Sequence, residues 1–310
     1  MYGGAKAVFY ALSKNAWLAR MASRYGMATP TSFARRFVAG ETEEEVMQAA
    51  MALQTQGLHL TLDYLGESVH TVEAAEAAAR EYVRLIGILE AAGIERNLSL
   101  KLTQLGATVD RATCVDNLRR ILIPAERHGC FVRIDMENSP YTDLTLEVFD
   151  TVWTLGHRNV GVVLQSCLRR TDVDVRRMNA IGARVRLVKG AYKEPPAVAF
   201  QDKADVDAAY LRLMRVLLEE GTFPAIATHD EAIIAQTRAH AETRGITKDR
   251  FEFQMLYGIR RDLQVSLRRD EYGVRIYVPF GRQWFPYFMR RLGERPANVG
   301  FVIRSLVRES

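Results

Sequence analysis

From Leu58 nearly to its C-terminus, the chain alternates short apolar strands with helical stretches, and that alternation narrows the possible folds more than any other feature. LHLTLDYL opens at Leu58, LSLKLTQL at Leu98, CFVRIDME at Cys130 and VGVVLQS at Val160. RVRLVKGAY follows at Arg184, PAIATH at Pro224, FEFQML at Phe251 and VRIYVPF at Val274. The segments between them, such as 71–92, 114–128 and 206–220, carry apolar residues at helical spacing. Strands that alternate with helices build parallel sheets. Eight such units fit a closed (β/α)8 barrel better than an open doubly wound sheet. No glycine-rich dinucleotide fingerprint or phosphate loop follows any of the strands. The expected class is therefore α/β, a TIM-type barrel over residues 58–310 preceded by a helical arm over residues 1–57. Within that arm, Ala5–Ala22 reads as a helix, and Thr42-Glu43-Glu44-Glu45 is a capping box opening a second helix that runs to Gly57.

In a closed barrel one parity of each strand meets the helices and must be apolar, while the other faces inward. LSLKLTQL sends Leu98, Leu100 and Leu102 outward and leaves Ser99, Lys101 and Thr103 inward. CFVRIDME turns Arg133, Asp135 and Glu137 inward, RVRLVKGAY turns Arg184 and Arg186, FEFQML turns Glu252 and Gln254, and VRIYVPF turns Arg275 and Tyr277. An interior this charged must pair its charges or meet a ligand, because an isolated buried charge costs several kcal/mol. Arg133, Arg184, Glu252 and Arg275 come early in their strands and are expected to be paired structural charges. Lys101, Asp135, Gln165, Arg186, Lys189, His229, Gln254 and Tyr277 come late, at the end where barrel active sites lie.

Composition removes several classes. Among 310 residues with a net charge of +5, basic residues are dispersed rather than interleaved with aromatics in one patch, which argues against nucleic acid. There is no apolar run long enough to span a bilayer and no signal-peptide pattern, so a cytoplasmic protein is expected. Cys114, Cys130 and Cys167 lack metal-ligand spacing and read as buried thiols. The histidines lack metal spacing as well, and no metal is expected.

The stretch YVPFGRQWFPYFMRRLGERPAN, from Tyr277 to Asn298, combines a strand end, Gly281, and a helix carrying Arg290, Arg291 and Glu294. Two adjacent guanidinium forks suit a carboxylate or phosphate. The same residues also fit a solvated basic face with an Arg290–Glu294 pair, and the segment by itself leaves both open. The late-strand set admits three chemistries. Lys189 could form a Schiff base in an aldolase or lyase. Arg186, Lys189, Gln165 and Gln254 could instead surround a bound cofactor. The barrel could also bind an anion without turnover.

Six segments in order, RIDME at Arg133, VVLQ at Val162, RLVKGAY at Arg186, ATHD at Ala227, FEFQMLYG at Phe251 and YVPFG…RRLGERPAN, resemble the monofunctional bacterial proline dehydrogenases. That resemblance implies a distorted (β/α)8 barrel and an FAD-dependent oxidation of L-proline to 1-pyrroline-5-carboxylate, the first step of proline catabolism. Electrons would pass to a quinone, with room for a peripheral contact at the inner face of the cell membrane. It implies that Arg290 and Arg291 grip the substrate carboxylate, with Lys101 completing the cationic shell. Asp135 would interact with that lysine, Tyr277 would pack on the substrate ring and Leu256 would line the same pocket. Arg186 would donate toward the flavin N5 region. Gln165, the Lys189-Gly190-Ala191 backbone, Thr228 and His229 would bind the isoalloxazine, ribityl and phosphate parts. The backbone of Met136, together with Tyr192, Gln254 and Glu294, would complete the cofactor site, and Glu294 would also order its helix.

Overall fold

The computed structural model of the chain describes residue 27, residues 32–66 and residues 68–294. The expected helix Ala5–Ala22 lies outside the described residues. Eight parallel strands close into a barrel in chain order. They are β1 (His59–Tyr64), β2 (Asn97–Leu100), β3 (Phe131–Ile134), β4 (Val160–Gln165), β5 (Arg184–Val188), β6 (Ala225–Ala227), β7 (Glu252–Leu256) and β8 (Gly273–Phe280). Closure is made by β8 against β1, with Leu60 opposite Ile276 and Leu62 opposite Val278. The distorted (β/α)8 barrel expected from the sequence is what the chain forms.

Nine helices accompany the strands among the described residues: α1 (Glu43–Thr55), α2 (Val72–Ala91), α3 (Arg111–Arg127), α4 (Thr142–Thr154), α5 (Thr171–Ala180), α6 (Lys203–Glu220), α7 (Glu231–Thr243), α8 (Arg261–Arg269) and α9 (Phe285–Glu294). Their starts follow local chemistry. Thr42 and Glu45 form the expected capping box of α1. Thr71 and Asp110 accept the backbone N–H three residues on, satisfying donors that the first turn leaves open. The outward strand parity, including Leu60, Leu62, Leu98, Leu100, Val132, Ile134, Val185 and Leu187, is buried under the helices. Each such side chain contributes about 1.5–3 kcal/mol by leaving water.

The ring of helices is not cyclic in sequence. Helix α1 precedes β1, yet its buried Val46, Met47, Ala50 and Leu53 join the barrel's main core. It packs against β1 and β8, where a helix following β8 would ordinarily complete the ring. The helix that does follow β8, α9, enters a separate apolar cluster instead. There Trp284, Phe285, Phe288 and Leu292 meet Phe37, Val38, Leu65 and Ile259, with Leu256 and Tyr277 packed alongside. Leu65, Leu256 and Ile259 lie at or just past the C-terminal ends of β1 and β7, so α9 sits over that end of the barrel. The segment beneath it is seated tightly: a Cβ on Gly258 would lie 1.6 Å from the Arg36 carbonyl oxygen, at a φ of +71°. Only glycine fits there. The indole N–H of the fully buried Trp284 donates to Glu41 Oε1 at 2.7 Å, tying α9 to the turn before α1.

Two expectations about parity are corrected. The strand at Leu98 ends at Leu100, and residues Leu102–Gln104 form a single 3-10 turn. Thr103 therefore leaves the interior pattern, and its N–H and hydroxyl donate to Glu137 at 3.1 and 2.7 Å. Arg184 is exposed at the N-terminal rim, where its guanidinium lies 5.1 Å from the ring of Phe131 and 5.2 Å from that of Phe223. An arginine at the first residue of a strand reaches solvent whatever its parity.

Candidate active site

The barrel interior is a ladder of paired charges running from its floor to its mouth. At the floor, Arg275 Nε donates to both oxygens of Glu252, at 2.9 and 3.1 Å. Its Nη1 donates to Glu95 Oε1 and to the Leu60 carbonyl, each at 2.7 Å. Burial opposes the charge on Glu252, but the arginine beside it holds the carboxyl below its ordinary range. Glu95 falls to about 2, because bonds from His59 and Arg275 outweigh its burial. Arg133 sits in the same layer, stacked 4.9 Å from the Phe131 ring, and donates to the Val162 and Arg184 carbonyls. The expected pairing of early charges holds for Glu252 and Arg275, while Arg133 is held by these carbonyls and this ring, its buried Nε having no hydrogen-bond partner among the described residues.

Arg186 occupies the centre. Its Nε donates to Gln254 Oε1, its Nη1 to Asp135 Oδ1 at 2.8 Å and its Nη2 to Ser99 Oγ at 2.9 Å. The guanidinium also lies 5.4 Å from the ring centroid of Tyr277, whose hydroxyl donates to Asp135 Oδ2 at 2.7 Å. Burial of that hydroxyl, with Asp135 and Asp63 beside it, pushes the phenol well above its usual range, so it is a donor at neutral pH. Asp135, Arg186, Gln254 and Tyr277, drawn from four strands or their ends, thus form one bonded group.

Lys101 is anchored from β1. The carboxylate whose two oxygens receive its ammonium is Asp63, each at 3.2 Å, with both side chains buried. The bonds of Asp135 described above go to Arg186 and Tyr277. Burial raises the Asp63 carboxyl, Lys101 works against that shift, and Asp135 adds to it. Asp63 was not singled out from the sequence. The parity rule applied to β1 finds it, since Leu60 and Leu62 face outward and Thr61 and Asp63 face inward. Thr61 meets Ser99 at 3.0 Å, which links this pair to the Arg186 group. Lys101 is thus paired with Asp63, Arg186 with Asp135, and Arg275 with both Glu95 and Glu252.

The remaining residues line the rim. Beyond the ends of β4 and β5 the backbones stay paired: Ser166 N–H donates to the Val188 carbonyl and Cys167 N–H to that of Lys189. This sets Gln165 against Gly190. Gln165 Nε2 donates to the Glu137 carbonyl at 2.7 Å, and its Oε1 is buried with no hydrogen-bond partner among the described residues. Gly190 has a φ of +112°, and a Cβ there would stand 2.4 Å from Cys167 Sγ and 2.9 Å from Gln165 Oε1. Lys189 leaves the strand toward the helices, where Asp207 and Asp230 receive its ammonium at 2.6 and 2.8 Å. Across the rim, Thr228 N–H donates to the Gln254 carbonyl at 3.2 Å. Leu256 N–H donates to His229 Nε2 at 2.9 Å, which makes that ring nitrogen an acceptor. Met136 is buried just past β3, Ala191 is exposed and Tyr192 is half-buried in the loop after Gly190. Arg290 and Arg291 are half-buried on α9, with Arg291 5.1 Å from the Tyr287 ring. The side chain of Glu294, and with it the expected ordering role, lies outside the described residues. Among the described residues no group of three or more His, Cys, Asp or Glu could hold a metal, and no helix is long and apolar enough to cross a membrane.

A (β/α)8 barrel with a charge-lined interior, a glycine cradle at its rim and an arginine-bearing helix across its mouth is the architecture of a barrel enzyme. The comparisons make the class particular. The sequence model of the family described as "Proline dehydrogenase" matches residues 46–304. The "Proline dehydrogenase" of Deinococcus radiodurans is 43% identical over 281 residues, covering 89% of this chain and 91% of that protein. "Proline dehydrogenase 2" of Bacillus subtilis is 38% identical over 301 residues, covering 97% of this chain and 98% of that one. Among solved structures, proline utilization A from Bdellovibrio bacteriovorus, inactivated by N-propargylglycine, superposes with a TM-score of 0.78 at 28% identity. The match covers 84% of this chain and 32% of that one, so this chain spans about a third of its length. The chain belongs to the proline dehydrogenase family.

Proposed function

We propose that the protein oxidises L-proline to 1-pyrroline-5-carboxylate, the first step of proline catabolism, with FAD as its bound cofactor and a quinone as final electron acceptor. Family membership over nearly the whole chain supports the reaction. The observation that carries the site is the bonded group Asp135–Arg186–Gln254–Tyr277 at the mouth beneath α9.

The rim suits the cofactor. A flavin's pyrimidine edge carries an N–H donor, and Gln165 Oε1 is a buried acceptor lacking a donor. Gly190 leaves open the space that a Cβ would fill, allowing close approach to its backbone. Arg186 spends three of its five N–H groups on protein, leaving donors to direct at the ring's heteroatoms. Met136, Lys189, Ala191, Tyr192, Thr228, His229 and Glu294 complete this proposed cofactor site. Bound there, FAD supplies the acceptor for a hydride.

The chain's own residues hold the substrate. Arg290 and Arg291 bind the proline carboxylate with two guanidinium forks, and Lys101, fixed by Asp63, adds a third cation. Tyr277 and Leu256 wall the ring carbons. The reaction removes a hydride from the ring carbon next to nitrogen and a proton from the nitrogen, leaving a C=N bond. Clamping the carboxylate fixes where that carbon lies, and such positioning can lower the barrier by several kcal/mol. Residues 58–310 form the catalytic unit in this reading, with residues 1–57 as its arm. The reaction belongs in the cytoplasm, and quinone is met at the membrane surface through peripheral contact.

The lyase reading is disfavoured because the Lys189 amine is engaged by two carboxylates outside the barrel interior. A visible absorption spectrum tests the proposal. Purified protein should show flavin bands that bleach anaerobically when L-proline is added. A colourless protein that binds no added FAD would overturn it, and a flavin spectrum indifferent to proline would overturn the substrate assignment.

A further inference from the structure

Glu252 lies buried in the barrel interior, two residues before Gln254 on β7, and it has no place in the substrate or cofactor contacts proposed above. Its Oε1 accepts from Gln254 Nε2, while Gln254 Oε1 accepts from Arg186 Nε. A primary amide is a donor at one end and an acceptor at the other. With a carboxylate on one side and a guanidinium on the other, only one orientation of the Gln254 amide satisfies both. Turning it over would set NH2 against N–H and carbonyl against carboxylate, losing both bonds and adding two repulsions. Glu252 is itself held by two bonds from Arg275, which is anchored in turn on Glu95 and the Leu60 carbonyl.

We infer that Glu252 is a positioning residue. Through the orientation of Gln254 it fixes Arg186 Nε, so that the guanidinium is held at three points and presents one set orientation to the cofactor. Asp135 and Ser99 hold Nη1 and Nη2, on the side away from Nε. Those two bonds alone leave the group free to pivot about the line joining them, and the Gln254 bond removes that freedom. Without Glu252 the Gln254 NH2 is buried with no acceptor, and a buried amide donor in that position reorients to find one. The inference rests on the proposed flavin site, and its test is arranged so that the two can fail separately.

The test measures FAD affinity by titrating apo-protein, melting temperature, and the rate of flavin reduction by proline. Three variants are compared with wild type: Gln254→Met, the joint replacement Glu252→Met with Arg275→Met, and all three changes together. Replacing a buried ion pair as a unit with apolar residues of similar volume is often neutral for stability, so the joint replacement is expected to fold. Gln254→Met and the joint replacement should each weaken FAD binding by about tenfold, the range for losing a hydrogen bond to a charged group. The decisive result is the combination. If Glu252 acts through Gln254, adding the joint replacement to Gln254→Met weakens FAD no further. Additive losses, or a joint replacement that binds FAD and is reduced like wild type, would overturn the inference and leave Glu252 a structural partner of Arg275. Should the joint replacement not fold, Glu252→Met alone decides, since Arg275 keeps Glu95 and the Leu60 carbonyl. It leaves the Gln254 NH2 without its acceptor, so FAD must bind severalfold more weakly, and wild-type affinity overturns the idea. If wild-type apo-protein does not take up FAD, the proposed function fails instead.

Discussion

The hydroxyl of Tyr277, on β8, reaches across the barrel to Asp135, just past β3, at 2.7 Å, while Arg186 holds the other oxygen of the same carboxylate at 2.8 Å. Asp135 is thereby fixed by a phenol and a guanidinium from separate strands. Tyr277→Phe keeps the ring and removes one of those bonds. A hydrogen bond to a charged group contributes about 1.5–3 kcal/mol, so kcat/KM for proline should fall about tenfold or more. Tyr277→Ser also removes the wall of the pocket and should narrow the preference for proline over 4-hydroxyproline. Measuring kcat/KM for both amino acids beside the melting temperature checks this. A preserved ratio with a lowered melting point would assign Tyr277 to packing alone.

Arg290→Lys and Arg291→Lys should each raise KM for proline by roughly tenfold to a hundredfold with flavin content intact. Lysine keeps the charge but lacks the planar fork that matches a carboxylate. Steady-state kinetics with a flavin-to-protein ratio on each variant provides the measurement, and unchanged proline binding in both would make α9 a basic face rather than a clamp.

The Lys101–Asp63 pair predicts a stability pattern. Lys101→Met leaves a fully buried carboxylate without its cation and should destabilise the fold by about 3–5 kcal/mol. Adding Asp63→Leu should restore most of that loss, because the unpaired charge is gone. Urea unfolding of both variants reads the difference directly, and equal losses would show that the pair contributes by packing rather than by charge.

Gly190→Ala should yield protein depleted in flavin. The residue has a φ of +112°, and the added methyl would collide with Cys167 Sγ and Gln165 Oε1, moving the acceptor proposed to meet the flavin edge. The flavin-to-protein ratio after purification checks it, and a fully loaded variant would remove Gly190 from the cradle.

Acid should loosen the barrel floor. The folded state lowers the Glu95 carboxyl from 4.5 to about 2, so its contribution to stability is complete above pH 4.5 and disappears as pH falls toward 2. Water still reaches about a third of its side chain, so the contribution is discounted to the order of 1–3 kcal/mol. Unfolding free energies from pH 6 downward should decline less steeply in Glu95→Gln than in wild type. Parallel curves would mean that other carboxylates govern the acid transition.

The barrel and its charged interior were legible because period-two alternation leaves one solution for each strand: Leu98 and Leu100 cannot face a cavity containing Arg186. Position along the strand also separated Arg275 and Glu252 at the floor from Tyr277 at the mouth. What remained hidden depended on distances across the barrel. Parity places Lys101 and Asp135 in the same interior but cannot say that Lys101, just past β2, meets Asp63 on the neighbouring β1. The exchange of places between α1 and α9 was also invisible, because the apolar face of Val46, Ala50 and Leu53 suits any groove of the right width. Thr103 was misassigned for a local reason, since a strand that turns into a 3-10 helix abandons its alternation within one residue.

The closure of β8 on β1 has a consequence for how the molecule comes to exist. Arg275 Nη1 and the Leu60 carbonyl it bonds are 215 residues apart, and β1 has no partner on that side until β8 is in place. Contacts so distant along the chain are slow to form, because the entropy of loop closure is lost before the contact rewards it. During synthesis β1 emerges with one edge bare and waits for nearly all of the remaining chain. Helix α1 comes off the ribosome even earlier, and it packs against β8 as well as β1. The first elements made are thus among the last to be completed, and the half-built barrel is the state most exposed to aggregation and most in need of a chaperone.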